Sequence, residues 1–520
     1  MPVIGGWPGS RAVRDPWRWL RVNSYMMRSA FASCVGVLLL APALVVQNPS
    51  LSDLRPGAVI PRQTCAKPEQ SYALYLPSHY DPGKRWPIIY AFDPDARGSV
   101  PVELMKDAAE RYGYIVVGSN NSRNGSWKLE SESAQAMFDD THARLAIDDR
   151  RIYFAGFSGG ARVAAVLAQR CKCAAGVLLD GAGFGGPGPS RDAIFAVFAT
   201  AGTYDFNYPE LSELEEKLDE AGFPHLLRHF DGPHEWAPVA VIEQALAWFR
   251  LIAMKQGREA RDPSFIAQQE TSATALAQAL EQSGQLYEAW REYRQAATTF
   301  DGLADIAALQ QAATSLAKQK AVRDGPKREK QESEEQKELT APILAGLASL
   351  GSKPKSSSDI AQPESPISTQ QPRSALPSPS SGAAGRTDTF QQTEQQIVDL
   401  REHAASEKRQ EKMVVYRRTL AGIFIAAGEA GDENLSARNY ALAKEDFQLA
   451  SDANPDSAGA LRALATARAL DNDRKGALEA LHRAKQKSKD LPEFSVWLTA
   501  EPAFANLHED PQFRALLANP

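Results

Sequence analysis

The sequence predicts two kinds of structure in one chain: a mostly parallel β-sheet flanked by helices, and after it an all-α region of repeated helical hairpins. Three observations carry that reading. Short apolar, β-rich runs alternate with amphipathic stretches between residues 72 and 255. A strand-like run turns directly into a helix-like one around Ser158. Beyond residue 257 the chain turns Ala-rich, and small residues recur at a separation of 34 (477 − 443 = 34).

Taken in order, the chain of 520 residues divides into five segments. Residues 1–48 hold an apolar run, 31–46, that follows Arg28, is interrupted by Pro42 and precedes Gln47-Asn48-Pro49. It is short for a membrane span. The expectation is a signal peptide starting near Met26 or Met27 and cleaved close to Ala43, with residues 1–25 an upstream translation or a long basic leader. An uncleaved membrane anchor is the alternative. Export would leave Cys65, Cys171 and Cys173 in the mature chain. A bridge from Cys65 to one of the pair and buried free thiols both remain open.

Residues 49–256 carry the predicted catalytic domain. Tyr72-Ala73-Leu74-Tyr75-Leu76-Pro77 and the run 86–92 read as early strands, 102–112 and 131–146 as amphipathic helices, and Tyr114-Ile115-Val116-Val117 as a strand. Ile152-Tyr153-Phe154 is a strand and 161–169 a helix, with Gly156-x-Ser158-x-Gly160 between them. A serine at the apex of so short a turn is held in a strained conformation, and small neighbours let strand and helix approach. Its hydroxyl is a candidate nucleophile, and the Gly159 amide at the helix start a candidate oxyanion donor.

A nucleophilic serine needs a base and an acid. Of the eight histidines, only His225, His229 and His234 follow Ser158 before residue 257. The first two sit in or beside the strand-like run 225–230, whereas His234 lies in the loop beyond it, where a ring is free to swing over a serine. Asp205 lies in the loop after the apolar run 194–199 and is the preferred acid; Asp180, at the end of Val177-Leu178-Leu179, is the rival. The second oxyanion donor is expected after the strand 86–92, from Phe92, Asp93 or Asp95, since Pro94 has no N–H. Phe157, Asn121, Trp127 and Trp236 are candidate pocket walls.

On these motifs, together with Asp149-Arg150-Arg151-Ile152-Tyr153 before the turn and Gly232-x-His234 after it, residues 58–255 resemble an α/β hydrolase of the carboxylesterase and polyhydroxyalkanoate-depolymerase-like group. The resemblance implies Ser158, Asp205 and His234 as nucleophile, acid and base, acting on a small-molecule ester without metal or organic cofactor. The sequence here lacks the His-Gly-rich oxyanion loop that many relatives carry.

The remaining segments are helical or polar. Gly284-x-x-x-x-Ala289-x-x-x-Tyr293-x-x-Ala296 suggests a hairpin in 257–320. The segment 321–392 begins highly charged, Lys318–Lys337 reading as a solvated helix or coil, and then becomes rich in Ser, Pro, Gln and Gly over 351–392, where a disordered linker is expected. In 393–520, Tyr440-x-x-Ala443-x-x-x-Phe447-x-x-Ala450 and Ala477-x-x-x-Leu481-x-x-Ala484 resemble tetratricopeptide repeats. Such repeats imply a docking module for a protein or peptide partner, one whose removal should spare small-ester turnover. The net charge of −6 offers no basic footprint for nucleic acid. The whole reads as an exported serine hydrolase of carboxylic esters; the competing readings are a serine peptidase and a catalytically inactive hydrolase-fold scaffold that binds partners through its repeats.

Overall fold

The computed structural model describes residues 54–186, 188–190, 192–351 and 383–518. The expected signal peptide or anchor and the polar stretch 352–382 lie outside these residues.

Eight strands form one sheet: β1 (Val59–Thr64), β2 (Ser71–Tyr75), β3 (Trp86–Phe92), β4 (Ile115–Ser119), β5 (Ile147–Phe157), β6 (Ala174–Asp180), β7 (Ala196–Gly202) and β8 (His225–Phe230). Their order is β1-β2-β4-β3-β5-β6-β7-β8. β1 with β2 and β2 with β4 are antiparallel, while β3 runs parallel to both β4 and β5. Every residue of β3, β4, β6 and β7 is buried. Strands buried on both faces read as continuous apolar runs, which is why periodicity located them. Between and after them come α1 (Ser99–Tyr112), α2 (Trp127–Arg144), α3 (Gly159–Cys171), α4 (Tyr208–Glu220) and α5 (Val239–Lys255). This is the sheet-and-helix architecture expected of an α/β hydrolase. Of the two alternatives left open for Cys65 it is the buried free thiol that occurs, while Cys171 and Cys173 bridge each other.

The chain divides into two compact units, and the last cut between them falls at Ala260, close to the expected boundary at 256. The first takes the chain as far as Leu179 with Pro189–Phe198 and Ile242–Ala260. It holds β1 to β5, most of β6, the start of β7, and α1, α2, α3 and α5. The second takes Asp180–Gly188, Ala199–Val241 and everything from Arg261 onward. It therefore combines the end of β7, the loops after β7 and β8, and α4 with all the later helices.

Those later helices are α6 (Pro263–Gln282), α7 (Leu286–Phe300), α8 (Ala307–Leu316), α9 (Lys320–Ser349), α10 (Ala383–Ser406), α11 (Gln410–Ser436), α12 (Tyr440–Ala453), α13 (Ala458–Leu470), α14 (Arg474–Lys487), α15 (Leu491–Ala500) and α16 (Pro511–Ala518), with a 3₁₀ turn at Pro502–Leu507. The charged run takes the helical alternative: it lies in α9, whose Ile343 and Leu347, with Leu350 at its C-cap, pack with Ile397 and Leu400 of α10 and Ile423 of α11. The expected linker ends earlier than read, its last ten residues belonging to α10.

The hairpins share a geometry. Gly284, Arg438 and Asn472 all have positive φ, and each is followed nine positions later by a buried side chain: Tyr293, Phe447 and Leu481 (293 − 284 = 447 − 438 = 481 − 472 = 9). Arg438 and Asn472 are themselves 34 apart (472 − 438 = 34). Ala289, Ala443 and Ala477 are fully buried where paired helices meet.

Within the second unit, ionic side chains join α4 and β8 to α7 and α9. Arg291 reaches Glu215 and Glu329, Gln295 donates to Glu215 at 2.6 Å, and Arg228 reaches Glu292 and Gln295. Arg291, Glu215, Glu292 and Gln295 are all buried, so leaving any of them unpaired would be costly.

Candidate active site

Half of the machinery stands at the end of β5. The strand stops at Phe157 and α3 starts at Gly159, so Ser158 alone makes the turn, with φ 52° and ψ −121°. A non-glycine residue there stores strain on the order of 1–3 kcal/mol, which the surroundings must hold in place. They do so by contact. A Cβ on Gly156 would lie 2.1 Å from Gly160 O, and one on Gly160 would lie 2.1 Å from Phe92 O. Neither position has room for any other residue. On the other flank a Cβ on Gly159 would lie 1.8 Å from Asn124 Oδ1. Asn124 is fixed in turn by its own amide, which donates to Pro94 O at 2.8 Å, and by the bridge between Asp95 and Arg123. The loops after β3 and β4 thus converge on the serine turn.

The loop after β3 is rigidly organised. Asp93 is fully buried; its carboxylate accepts from Arg97 Nε at 2.9 Å and Nη2 at 3.1 Å, and from the Asp95 amide at 3.0 Å. That last bond commits the Asp95 amide to the loop itself. Of the three donors the sequence offered, Asp95 is therefore eliminated. The Phe92–Asp93 peptide lies directly against Gly160.

The other half belongs to the second unit. His234 Nδ1 lies 2.9 Å from Asp205 Oδ2, with Asp205 fully buried and the His234 side chain 8% exposed. The other carboxylate oxygen accepts the Asn207 amide at 2.8 Å, and Asn207 Nδ2 donates to Gly181 O at 2.8 Å. The Asp205 loop and the His234 loop are stitched together by backbone bonds, Thr203 N to Phe230 O at 2.8 Å and Tyr204 N to Gly232 O at 2.9 Å. Gly202 makes this approach feasible, because a Cβ there would meet Gly232 O at 2.2 Å. The Phe206 ring lies 4.5 Å from the imidazole of His234.

The rivals are occupied elsewhere. Asp180 Oδ2 accepts the Ala237 amide at 2.7 Å. Complete burial pushes its carboxyl well above the usual range, a charge on Asp205 adds to the shift, and the Ala237 bond opposes it. His225 Nδ1 faces Phe223 O at 2.7 Å, and His229 is buried against the Tyr208 ring at 4.2 Å. Burial holds the His229 imidazole well below its ordinary pKa, reinforced by Arg291, Arg418 and Arg228.

Among the expected pocket walls, Phe157 is buried and Trp236 half-buried. Asn121 is spent on backbone, accepting from Ser71 N at 2.8 Å and donating to Glu69 O at 2.9 Å. Trp127 carries the Arg170 guanidinium 5.2 Å from its ring centre. The sequence reading chose Asn121 and passed over Asn124 from the same loop; nothing in the string Asn120-Asn121-Ser122-Arg123-Asn124 marks which asparagine meets the serine turn. Among the described residues, no group of three or more His, Cys, Asp or Glu is placed to hold a metal ion.

No known family and no curated protein matches the chain. Among solved structures it is similar to a fluorophosphonate-binding serine hydrolase of Staphylococcus aureus with substrate bound, at 14% identity over 38% of this chain and 99% of that one, TM-score 0.32. It is likewise similar to an S-formylglutathione hydrolase of the same organism (12% identity, 38% and 98% covered, TM-score 0.30) and to a ferulic acid esterase (19% identity, 38% and 98% covered, TM-score 0.32).

Proposed function

We propose that the protein is a serine hydrolase of carboxylic esters, with Ser158 as nucleophile, His234 as general base and Asp205 as the acid that orients it. The observation that carries this reading is the Asp205–His234 hydrogen bond of 2.9 Å, set in the loops after β7 and β8 of a sheet whose β5 ends in the Ser158 turn. Asp205 on Nδ1 fixes the tautomer that leaves Nε2 to accept the serine proton, and stabilises the imidazolium that forms. Attack on the ester carbonyl gives a tetrahedral oxyanion, held by the amides of Gly159 and Asp93. Collapse expels the alcohol, which takes its proton from His234, and leaves an acyl-enzyme that water, activated by the same histidine, hydrolyses.

We further place the enzyme in an oxidising compartment outside the cytoplasm, on the apolar run 31–46 and the Cys171–Cys173 disulfide. The 34-residue separation of Arg438 and Asn472, and the shared nine-residue offset from each turn to a buried side chain, support a tetratricopeptide-like identity for the helical region.

Labelling by a fluorophosphonate probe tests the central reading. The wild-type chain should label and Ser158→Ala should not, while both melt at the same temperature. A well-folded wild type that neither labels nor hydrolyses p-nitrophenyl acetate or butyrate leaves the scaffold reading standing instead. Peptide amides cleaved in preference to those esters would make it a peptidase.

A further inference from the structure

The loop that carries Asp205 is held from outside by two helices that arrive much later in the chain. Arg418 of α11 is 3% exposed, and its Nε donates to Thr203 O at 2.7 Å. Its Nη1 reaches Glu332 of α9 at 3.3 Å, and its guanidinium lies 3.7 Å from the centre of the Tyr208 ring. Gln336 of α9 donates from Nε2 to Phe206 O at 2.8 Å. One turn beyond Arg418, Gly422 brings α11 so close that a Cβ there would lie 3.3 Å from Phe206 Cβ. Arg417 stands 4.9 Å from the ring centre of Tyr204. Residues 203, 204, 206 and 208, on both sides of Asp205, are each engaged by α9 or α11. Phe206 in turn lies beside the His234 ring.

A docking module has no need of such contacts. Two backbone carbonyls flanking the acid are capped by side-chain donors from different helices, one of them a buried cation that also pairs with Glu332 and lies over the Tyr208 face. Loss of either donor leaves a carbonyl to be satisfied by water and frees the loop to shift. A displacement of about 1 Å in a catalytic group is enough to cost on the order of 100-fold in rate. We propose that Arg418 and Gln336 are positioning residues for the Asp205–His234 pair, and that the helical region is thereby a structural part of the acid–base arm. This rests on the hydrolase reading for its kinetic consequence, though not for its geometry.

The test uses the full-length chain with Arg418→Ala, Arg418→Lys and Gln336→Ala, and with Arg462→Ala as a control. Arg462 belongs to α13 and pairs with Glu493 away from the acid loop. With p-nitrophenyl acetate, Arg418→Ala should lower kcat by ~10–100-fold with KM changed less than about threefold. Gln336→Ala should lower it by ~3–10-fold, as for one neutral hydrogen bond. Arg418→Lys keeps a cationic donor and should recover part of the loss, while Arg462→Ala should leave kcat unchanged. Independently of turnover, the downfield proton resonance of the His234 Nδ1–H···Asp205 bond should be present in wild type and Arg462→Ala, and shifted or broadened in Arg418→Ala. If Arg418→Ala does not fold, Gln336→Ala is read by the same two measurements. Unchanged kcat and an unchanged resonance in folded Arg418→Ala and Gln336→Ala overturn the proposal. A wild type with the resonance but without labelling or ester turnover would overturn the hydrolase reading alone, and the resonance would still decide the positioning.

Discussion

Asp180 ends β6 and Asp205 lies in the loop after β7, and their surroundings differ. Asp205 meets His234, so Asp205→Asn should favour the wrong imidazole tautomer and lower kcat by on the order of 10⁴-fold while the fold survives. Asp180 is fully buried, and burial disfavours its charged form and pushes its carboxyl well above the usual range. Its folded pKa exceeds its unfolded one, so the folded state binds the extra proton once pH rises above the ordinary carboxyl range, and stability falls with rising pH through that window. Asp180→Asn keeps an acceptor for the Ala237 amide, so it should raise the thermal midpoint at pH 7–8, lose that advantage near pH 4, and leave kcat within a few-fold of wild type. Calorimetry against pH and a single ester assay separate the two residues. At this scale the sequence was informative where chain order constrains chemistry: Asp205 and His234 follow from which loops they occupy. It was silent where a role depends on which way a side chain turns, as for Asn121 against Asn124 or for the committed amide of Asp95.

Strands were the legible elements, since runs buried on both faces leave an unmistakable apolar string. Helix α9 was not. It contains Pro326 and Pro342, is dense with charge, and buries Ser333 and Gly325 where a hydrophobic stripe would be sought. The charges are satisfied by partners remote in sequence, Glu329 by Arg291 and Tyr287, and Glu332 by Arg418. Gly325 is where the Tyr287 ring packs, a Cβ there falling 2.4 Å from it. No local pattern announces such a face. The hairpins, in contrast, were visible through their small residues, and they allow a test in which two effects compete. Gly431→Ala in α11 gains about 1 kcal/mol of helix propensity, but its Cβ would lie 2.5 Å from the buried Phe447 ring. Overpacking of that kind costs ~1–3 kcal/mol, so the variant should be destabilised by urea titration at unchanged m-value.

For the molecule as a whole, the composition change near residue 257 falls close to the last cut between the two compact units, at Ala260, but the second unit also takes in Asp180–Gly188 and Ala199–Val241, which composition does not mark. Composition reports what residues are; it is blind to the hydrogen bonds by which α9 and α11 take hold of the acid loop. On the positioning proposal, residues 393–520 are predicted to be needed for small-ester turnover, the opposite of the expectation from the sequence. Their removal deletes Arg418 and uncovers Ile343 and Leu347, and should abolish fluorophosphonate labelling and lower the thermal midpoint, read by gel and by scanning calorimetry.

Arg418 stands 215 positions beyond Thr203 in the chain. A ribosome therefore completes Thr203, Asp205 and His234 long before it delivers the arginine that holds their loop. On the positioning proposal, a product stalled before Arg418 would emerge with that loop unsupported, and its ester turnover would fall as in Arg418→Ala.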